Sequence, residues 1–336
     1  MTVATVTPRC CGVLLIVVAV AVGWAGCYDP VLKDCTVACG HNGACPSPLT
    51  CQASGYCARD ELCSPSPAPG ACDLSGPFGA SVLVGGIAAG TADDTTPRLS
   101  DDELTLYFAS NRDGQTKLYV AQRTSRSEDF GQPSLISELA LDAPAQCPSL
   151  TRDQLTMYFE DSQGGYQIFR TNRSSLSSSW SMPTVVASIS GAFAAVGGPW
   201  ITPSGDLYFH AFQTSDLDVF VARRGIDDFE TPQPVLDIDT HYVEQRPVLS
   251  VDELTMFFAS NRPDGGAIGS FDIWVTTRRS RDDSFGAPTN VHELNTAAFE
   301  TPGWLSTDGC RIYFDRSDSV SRIHFAERPV LAAAPP

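Results

Sequence analysis

Three acidic residues occupy the same place in a repeated sequence pattern, and their carboxylates are the groups of this chain best suited to chemistry. Asp94, Glu244 and Glu300 each stand five residues before the leucine that marks a recurring strand. If these strands converge on one axis, the three carboxylates surround one opening. Carboxylate oxygens bind hard cations such as Ca²⁺ and also attract basic groups of a partner. The three residues are therefore candidate ligands at the mouth of a channel.

The alternative for these acids is structural, and the sequence favours it. Arg98 and Arg246 lie near two of the three acids in the chain, so each carboxylate can be solvated or held in an ion pair at a loop end. Two of the five repeats carry Ala145 and Val196 at the same position, so a circle of carboxylates is incomplete. The sequence therefore predicts no metal site.

The other residue types give no catalytic signature. The histidines have no metal-ligand spacing, and neither a phosphate-binding loop nor a nucleophile motif occurs. Two carboxylates can hydrolyse a glycosidic bond, but the sequence pattern does not set the separation that this reaction requires. We therefore expect no catalytic residue and no cofactor. One histidine, His324, replaces a strand aromatic, which predicts a packed imidazole; the others are His41, His210, His241 and His292.

The elements that position these residues are repeats of about 50 residues, near the period of propeller blades. In one copy, Leu106 and Phe108 alternate with Thr105 and Tyr107, which places large side chains on both faces of a strand. Such a strand fits a sheet packed between neighbouring sheets, as in the blades of a β-propeller. The successive copies contain Pro97, Pro148, Pro199, Pro247 and Leu305 at their starts.

A second signature predicts how the repeats close into a circle. A bulky aromatic residue followed three positions later by proline marks an outer strand in four copies, and a variant of it, Phe78 with Ser81, precedes the first full copy. The last copy ends at Arg328 without such a strand. We therefore predict an all-β, five-bladed propeller over residues 78–330, closed by an N-terminal strand in the last blade. A six-bladed ring is the alternative, and residues 331–336 form a disordered tail.

The N-terminus has the features of an exported protein. An apolar run from Gly12 to Val22 follows Arg9 and is too short to span a bilayer comfortably. It leads to Ala25-Gly26-Cys27, which resembles a bacterial lipobox. The resemblance implies a signal peptide over residues 1–26 and a lipidated Cys27. The alternative is ordinary secretion with Cys27 in a disulfide.

A dense cluster of cysteines follows the predicted cleavage site and predicts a lipid-anchored, disulfide-rich module over residues 27–63. The absence of Cys-x-x-Cys pairs favours disulfides over zinc. Residues 64–77 are rich in proline and predict a linker. Cys310 takes the place of Leu104, which predicts a small core residue, and the pairing of Cys72, Cys147 and Cys310 is open. The predicted disulfide cysteines, with open connectivity, are Cys35, Cys39, Cys45, Cys51, Cys57 and Cys63.

The repeats resemble the TolB-type, WD-like β-propeller repeats of bacterial envelopes over residues 78–328. The resemblance is strongest at residues 258–266, 271–274, 288–291 and 294–296. It implies a propeller in the cell envelope that serves as an interaction platform. Propellers of this kind are often joined to a peptidoglycan-binding domain, which does not follow Arg328 in this sequence.

Charge and organisation together predict the function class. A formal net charge of −17 repels nucleic acid and anionic lipid heads. We predict a non-enzymatic outer-membrane lipoprotein that faces the periplasm or the cell surface. Its membrane contact is the lipid anchor, and its partner is an envelope protein or a glycan. The alternative is a secreted carbohydrate-active hydrolase of the five-bladed propeller type.

Overall fold

The computed structural model describes residues 50–51, 57–58, 72–139, 142–162, 165–212, 216–226 and 228–331. The chain divides into two compact units, Met1–Ser66 and Pro67–Pro336. In the first unit, the described residues form two short antiparallel strands, β1 (Thr50–Cys51) and β2 (Cys57–Ala58), with Cys51 opposite Cys57. The predicted signal peptide, Cys27 and the cysteines at 35, 39, 45 and 63 lie outside the described residues.

The second unit consists of five antiparallel four-stranded sheets, which confirms the five-bladed propeller. A short strand, β3 (Val82–Leu83), precedes the first complete blade. Blade 1 contains β4 (Asp94–Leu99), β5 (Thr105–Ser110), β6 (Lys117–Gln122) and β7 (Ser134–Leu135). Blade 2 contains β8 (Ala145–Leu150), β9 (Thr156–Asp161), β10 (Gln167–Asn172) and β11 (Thr184–Val185). Blade 3 contains β12 (Ala195–Ile201), β13 (Leu207–Phe212), β14 (Leu217–Ala222) and β15 (Gln233–Pro234).

Blade 4 contains β16 (Glu244–Leu249), β17 (Thr255–Ser260), β18 (Asp272–Thr277) and β19 (Thr289–Asn290). Blade 5 contains β20 (Phe299–Leu305), β21 (Arg311–Ser317) and β22 (Ser321–Glu327), and it is completed by β3. The only α-helix in the described ranges is the single turn α1 (Ala187–Ser190), and a 3-10 turn covers Ser137–Leu139. The scarcity of helix matches the composition, which is rich in aromatic, β-branched and turn-forming residues.

The propeller closes as the outer-strand signature predicts. β3 pairs with β22, with Val82 opposite Phe325 and Leu83 opposite His324. Phe78 lies buried in the core shared by blades 1, 3, 4 and 5, and the Arg328 guanidinium stacks 4.1 Å from its ring centre. The N-terminal segment thus fills the outer position of the last blade and leaves no long unpaired sheet edge there.

A disulfide between Cys72 and Cys310 reinforces this closure. The prediction that Cys310 is a small core residue is therefore wrong, because its side chain is half-buried beside the turn before β21 and is bonded to Cys72. Cys72 also forms a backbone bridge with Val330, and the Asp73 N–H donates to the Pro329 carbonyl. The end of the predicted linker is thus bonded to the propeller. Among the described cysteines, Cys147 is free and buried.

The hairpin between the first and second strands repeats one hydrogen-bonded turn, which explains the Ser-x-Asp spacing of the sequence. In blade 1, the Ser100 hydroxyl donates to Asp102 (2.5 Å), and Asp102 accepts the backbone N–H of Leu104 (2.9 Å). The next position has a left-handed backbone, with a φ of 62° at Glu103. Equivalent left-handed positions are Gln154, Gly205, Glu253 and Gly309.

Candidate functional site

The inner strand of every blade carries a β-bulge where it borders the axis. In four blades the bulge residue has a left-handed backbone: φ is 53° at Thr96, 55° at Cys147, 56° at Gly198 and 52° at Arg246. Only Gly198 lacks a Cβ, so the other three residues hold a conformation that is unfavourable for their type. A repeated strained position of this kind needs fixed hydrogen bonds around it.

Those hydrogen bonds come from side chains of the preceding blade, which accept the backbone N–H of each left-handed residue. They connect adjacent blades directly around the axis, so the axial residues form one network. The four bonds are Thr96 N–H to Asp315 Oδ1 (2.9 Å), Cys147 N–H to Thr96 Oγ1 (3.2 Å), Gly198 N–H to Glu160 Oε2 (3.0 Å) and Arg246 N–H to His210 Nδ1 (3.3 Å).

Three of these acceptors occupy one register position in the second strand of their blades. Glu160, His210 and Asp315 each follow the aromatic pair of that strand, and all three are buried. Blades 1 and 4 carry Ala109 and Ala259 at the same position. At this register position of the second strand, the polar side chains therefore come from blades 2, 3 and 5.

Asp315 is fully engaged at the axis. Its Oδ2 accepts the Thr301 hydroxyl (2.7 Å), and its Oδ1 accepts the Arg246 guanidinium at 3.3 Å in addition to the Thr96 N–H. Arg246 also donates to Thr301 Oγ1 (3.0 Å). This buried ion pair joins blade 4 to blade 5.

An axial pocket of about 190 Å³ opens on this network at the end where the inner strands begin. Its polar lining includes Glu160, His210 and Arg246, and its apolar lining includes Tyr166 and Leu217. Tyr166 is 54% exposed, so its ring is accessible at the rim of the pocket. A polar floor beside an exposed aromatic ring can hold a ligand that has hydroxyl groups on one side and C–H groups on the other.

The axis is obstructed below the pocket by a proline collar. Gly303 completes this collar, and a Cβ on it would lie 2.5 Å from Pro97 atoms, so the packing there is tight. The remaining cavity is about 30 Å³, the scale of a single water molecule. A ligand in the axial pocket therefore has a closed floor. The five collar prolines are Pro97, Pro148, Pro199, Pro247 and Pro302.

Acid is expected to destabilise the propeller through His210. Burial lowers the pKa of its imidazole from 6.5 to about 4. Between these values the unfolded chain binds a proton that the folded chain does not, so stability falls by up to about 1.4 kcal/mol per pH unit. Denaturant unfolding across this range is expected to show a shallower pH slope for His210→Gln, whereas the exposed His241→Gln keeps the wild-type slope. Equal slopes for His210→Gln and wild type would contradict this assignment.

The three acids singled out by the sequence lie on inner strands, and each is held in an ion pair within its own blade. Asp94 pairs with Arg112 (2.7 Å), Glu244 with Arg262 (2.9 Å) and Glu300 with Arg316 (2.7 Å). The partners are thus not Arg98 and Arg246, the arginines nearest in sequence, because the second strand returns a different arginine to the start of the inner strand. Among described residues, the three acids do not form a group close enough to share a cation.

His324 packs as its position in the sequence predicts. Its ring stacks on Phe314 with centroids 5.8 Å apart, and burial lowers its pKa to about 4. Sequence reasoning missed the axial residues Glu160, His210 and Asp315. Their signal was a departure from the repeat, namely a polar residue after the aromatic pair where two copies have alanine.

No protein-family model matches the chain, and no curated protein matches it. Solved structures do resemble it. A family 117 glycoside hydrolase of the marine bacterium Zobellia galactanivorans has a TM-score of 0.51 at 11% identity, covering 79% of this chain and 94% of that one. An endo-arabinase of Bacteroides thetaiotaomicron has a TM-score of 0.50 at 14% identity, covering 75% and 98%. A TolB protein of Agrobacterium tumefaciens has a TM-score of 0.47 at 16% identity, covering 73% and 78%. The chain thus shares its fold with these two glycoside hydrolases.

Proposed function

We propose that this protein is a non-enzymatic binding platform of the cell envelope and that its ligand sits in the axial pocket. The observation that carries the proposal is that the acids at the base of the axial pocket are hydrogen-bonded to other protein groups, while an aromatic ring lies exposed at its open rim. Glu160 accepts hydrogen bonds from Gln146 (2.8 Å) and from the Gly198 N–H, and Asp315 is held by three donors. Carboxylates that are hydrogen-bonded in this way stabilise the local structure, and they have few free oxygens for proton transfer.

The chemistry of the pocket favours a glycan as the ligand. A sugar ring offers C–H groups to an aromatic face and hydroxyls to polar side chains. Tyr166 supplies the aromatic face, while Gln146 and Gln245 supply amide donors and acceptors beside Arg246. An envelope protein that inserts one side chain into the same pocket is the second ligand class compatible with this lining.

The proposed location is the envelope, with Cys27 as the lipid anchor. The Cys72–Cys310 disulfide supports an oxidising compartment, because such bonds persist outside the reducing cytosol. No helix among the described residues is long and apolar enough to cross a membrane. A protein with Cys27→Ala is expected to lose incorporation of labelled fatty acid and to leave the membrane fraction. Equal labelling of the variant and the wild type would refute the anchor.

Tyr166→Ala is expected to weaken ligand binding roughly 5- to 30-fold, because an exposed aromatic in a pocket contributes on the order of 1 to 2 kcal/mol to binding. The measurement is binding of purified wild type and variant to an array of bacterial envelope glycans. Met182→Ala is the matched control, since Met182 is 79% exposed beside the outer strand of blade 2 and does not line the pocket. Equal binding by Tyr166→Ala and wild type would exclude the axial pocket.

The alternative function is a carbohydrate-active hydrolase, and the specific observation in its favour is the Glu160 carboxylate in the pocket wall. Glycosidases with two catalytic carboxylates place them on either side of the scissile bond. Glu160 is the one carboxylate among the described residues of the pocket lining. We therefore expect no release of reducing sugar from arabinan or from any glycan that the protein binds. Release that Glu160→Gln abolishes would establish the hydrolase instead.

A further inference from the structure

A second polar site lies between blades 3 and 4, outside the axial pocket. Asp218 is near the start of β14, Asp239 is in the connection from β15 to β16, and Glu244 is the first residue of β16. One carboxylate oxygen of each residue lies within 4.8 Å of the other two. Glu244, which sequence reasoning grouped with Asp94 and Glu300, therefore meets two different carboxylates. We call Asp218, Asp239 and Glu244 the interblade triad.

Asp218 is buried without a donor for one of its oxygens. Its side chain belongs to a residue only 7% exposed, and Oδ1 has no hydrogen-bond partner. At the equivalent position of blade 4, the protein itself supplies hydrogen-bond donors to an aspartate. Asp272 accepts the backbone N–H groups of Ile268 (2.8 Å) and Gly269 (2.9 Å) and the Asn290 amide (2.8 Å). Asp272 thus has three protein donors, whereas Asp218 has two further carboxylates beside it, Asp239 from the β15–β16 connection and Glu244 from blade 4.

The triad carries excess negative charge. Three ionised carboxylates face one cation, the Arg262 guanidinium, which pairs with Glu244 at 2.9 Å. Like charges held this close repel one another unless a cation lies between them. One arginine cannot neutralise three carboxylates, and a bound divalent cation supplies further positive charge.

The ligand atoms define the kind of cation. All three are carboxylate oxygens, which suit hard cations, whereas zinc and copper sites use histidine or cysteine. Glu244 Oε2 accepts only one hydrogen bond, from the Thr240 N–H (3.2 Å), so it keeps a lone pair for a metal. Calcium tolerates irregular sets of oxygen ligands completed by water, while magnesium demands near-octahedral geometry.

We propose that the interblade triad is a calcium site that joins blade 3 to blade 4. The cation is bound by Asp218, Asp239 and Glu244 and neutralises their repulsion. The residues next to the triad in the chain, Leu217 and Gln245, both line the axial pocket. Calcium therefore braces two walls of that pocket, although its binding does not depend on the function proposed for it.

The test is calcium binding by the purified full-length protein after removal of metal with EDTA. Sites of this class in extracellular proteins have dissociation constants of about 0.1 to 1 mM, so 10 mM CaCl₂ is expected to raise the melting temperature by roughly 3 to 5 °C. Asp218→Asn and Asp239→Asn are each expected to weaken binding at least tenfold in titration calorimetry and to remove this shift. Asp237→Asn is the matched control, because Asp237 is an exposed aspartate of the same connection outside the triad.

Two further measurements separate binding from a general loss of structure. Without metal, Asp218→Asn is expected to melt at or above the wild-type temperature, because it removes one repelling charge. Magnesium chloride at the same ionic strength is expected to give a smaller shift than calcium. The proposal is overturned if wild type shows no calcium-dependent shift, if Asp218→Asn retains it, if magnesium acts equally, or if Asp218→Asn melts below wild type without metal.

Discussion

Cys72→Ser is expected to lower the free energy of unfolding of the propeller by about 4 to 5 kcal/mol. The disulfide that it removes joins residues 238 positions apart, and the restriction that a crosslink places on the unfolded chain grows with the length of the closed loop. In melting temperature this loss corresponds to roughly 10 °C for a domain of this size. The strand pairing at this seam is short, because β3 contributes two residues to the sheet. The measurement is denaturant unfolding followed by tryptophan fluorescence.

Three controls assign the loss to this disulfide. Cys310→Ser is expected to match Cys72→Ser, and the double variant is expected to lose no more than either single variant, because both changes remove the same bond. In reducing buffer the wild-type propeller is expected to unfold like the double variant. A wild-type propeller that stays as stable in reductant as in oxidising buffer would show that β3 and Phe78 close the ring without the disulfide.

Much of the fold could be predicted because each copy of the sequence repeat corresponds to one blade. Alternating apolar residues such as Leu106 and Phe108 define the central strand of each blade, and their recurrence gives the number of blades. Phe78 carries the outer-strand signature before the first full copy, whereas the last copy lacks that signature. It therefore predicts the closing strand that pairs with β22. The partner of Cys72 followed from this closure in principle, since Cys310 lies in the last blade. The sequence alone suggested a core residue because Cys310 aligns with leucine.

The sites were harder to predict because they depend on contacts between blades. The left-handed bulge position is occupied by a different residue type in each blade that has it, for example Thr96, Cys147 and Arg246. No sequence pattern therefore marks it. Likewise, Asp218 and Glu244 meet because β14 and the start of β16 lie side by side in neighbouring blades. Spacing along the chain identified acids at equivalent positions of different blades. Such positions are held apart around the ring, so these acids do not meet.

Asp315→Ala is expected to destabilise the propeller by about 3 to 5 kcal/mol, since it leaves the Arg246 charge near the axis without its carboxylate. The residue is 1% exposed, and its loss also removes the acceptors of the Thr96 N–H and the Thr301 hydroxyl. An unpaired buried donor adds the cost of its lost hydration. Thermal and urea unfolding of the purified variant measure this change.

A surface pair in the same protein tests whether burial, rather than distance, sets this effect. Asp101 and Arg152 approach to 2.7 Å, closer than the 3.3 Å between Asp315 and Arg246, yet their side chains are 38% and 56% exposed. Asp101→Ala is therefore expected to cost less than about 1 kcal/mol. Adding Arg246→Met to Asp315→Ala is expected to restore part of the loss, because the second change removes the unpaired charge. If Asp315→Ala costs no more than Asp101→Ala, the axial network does not hold the blades together.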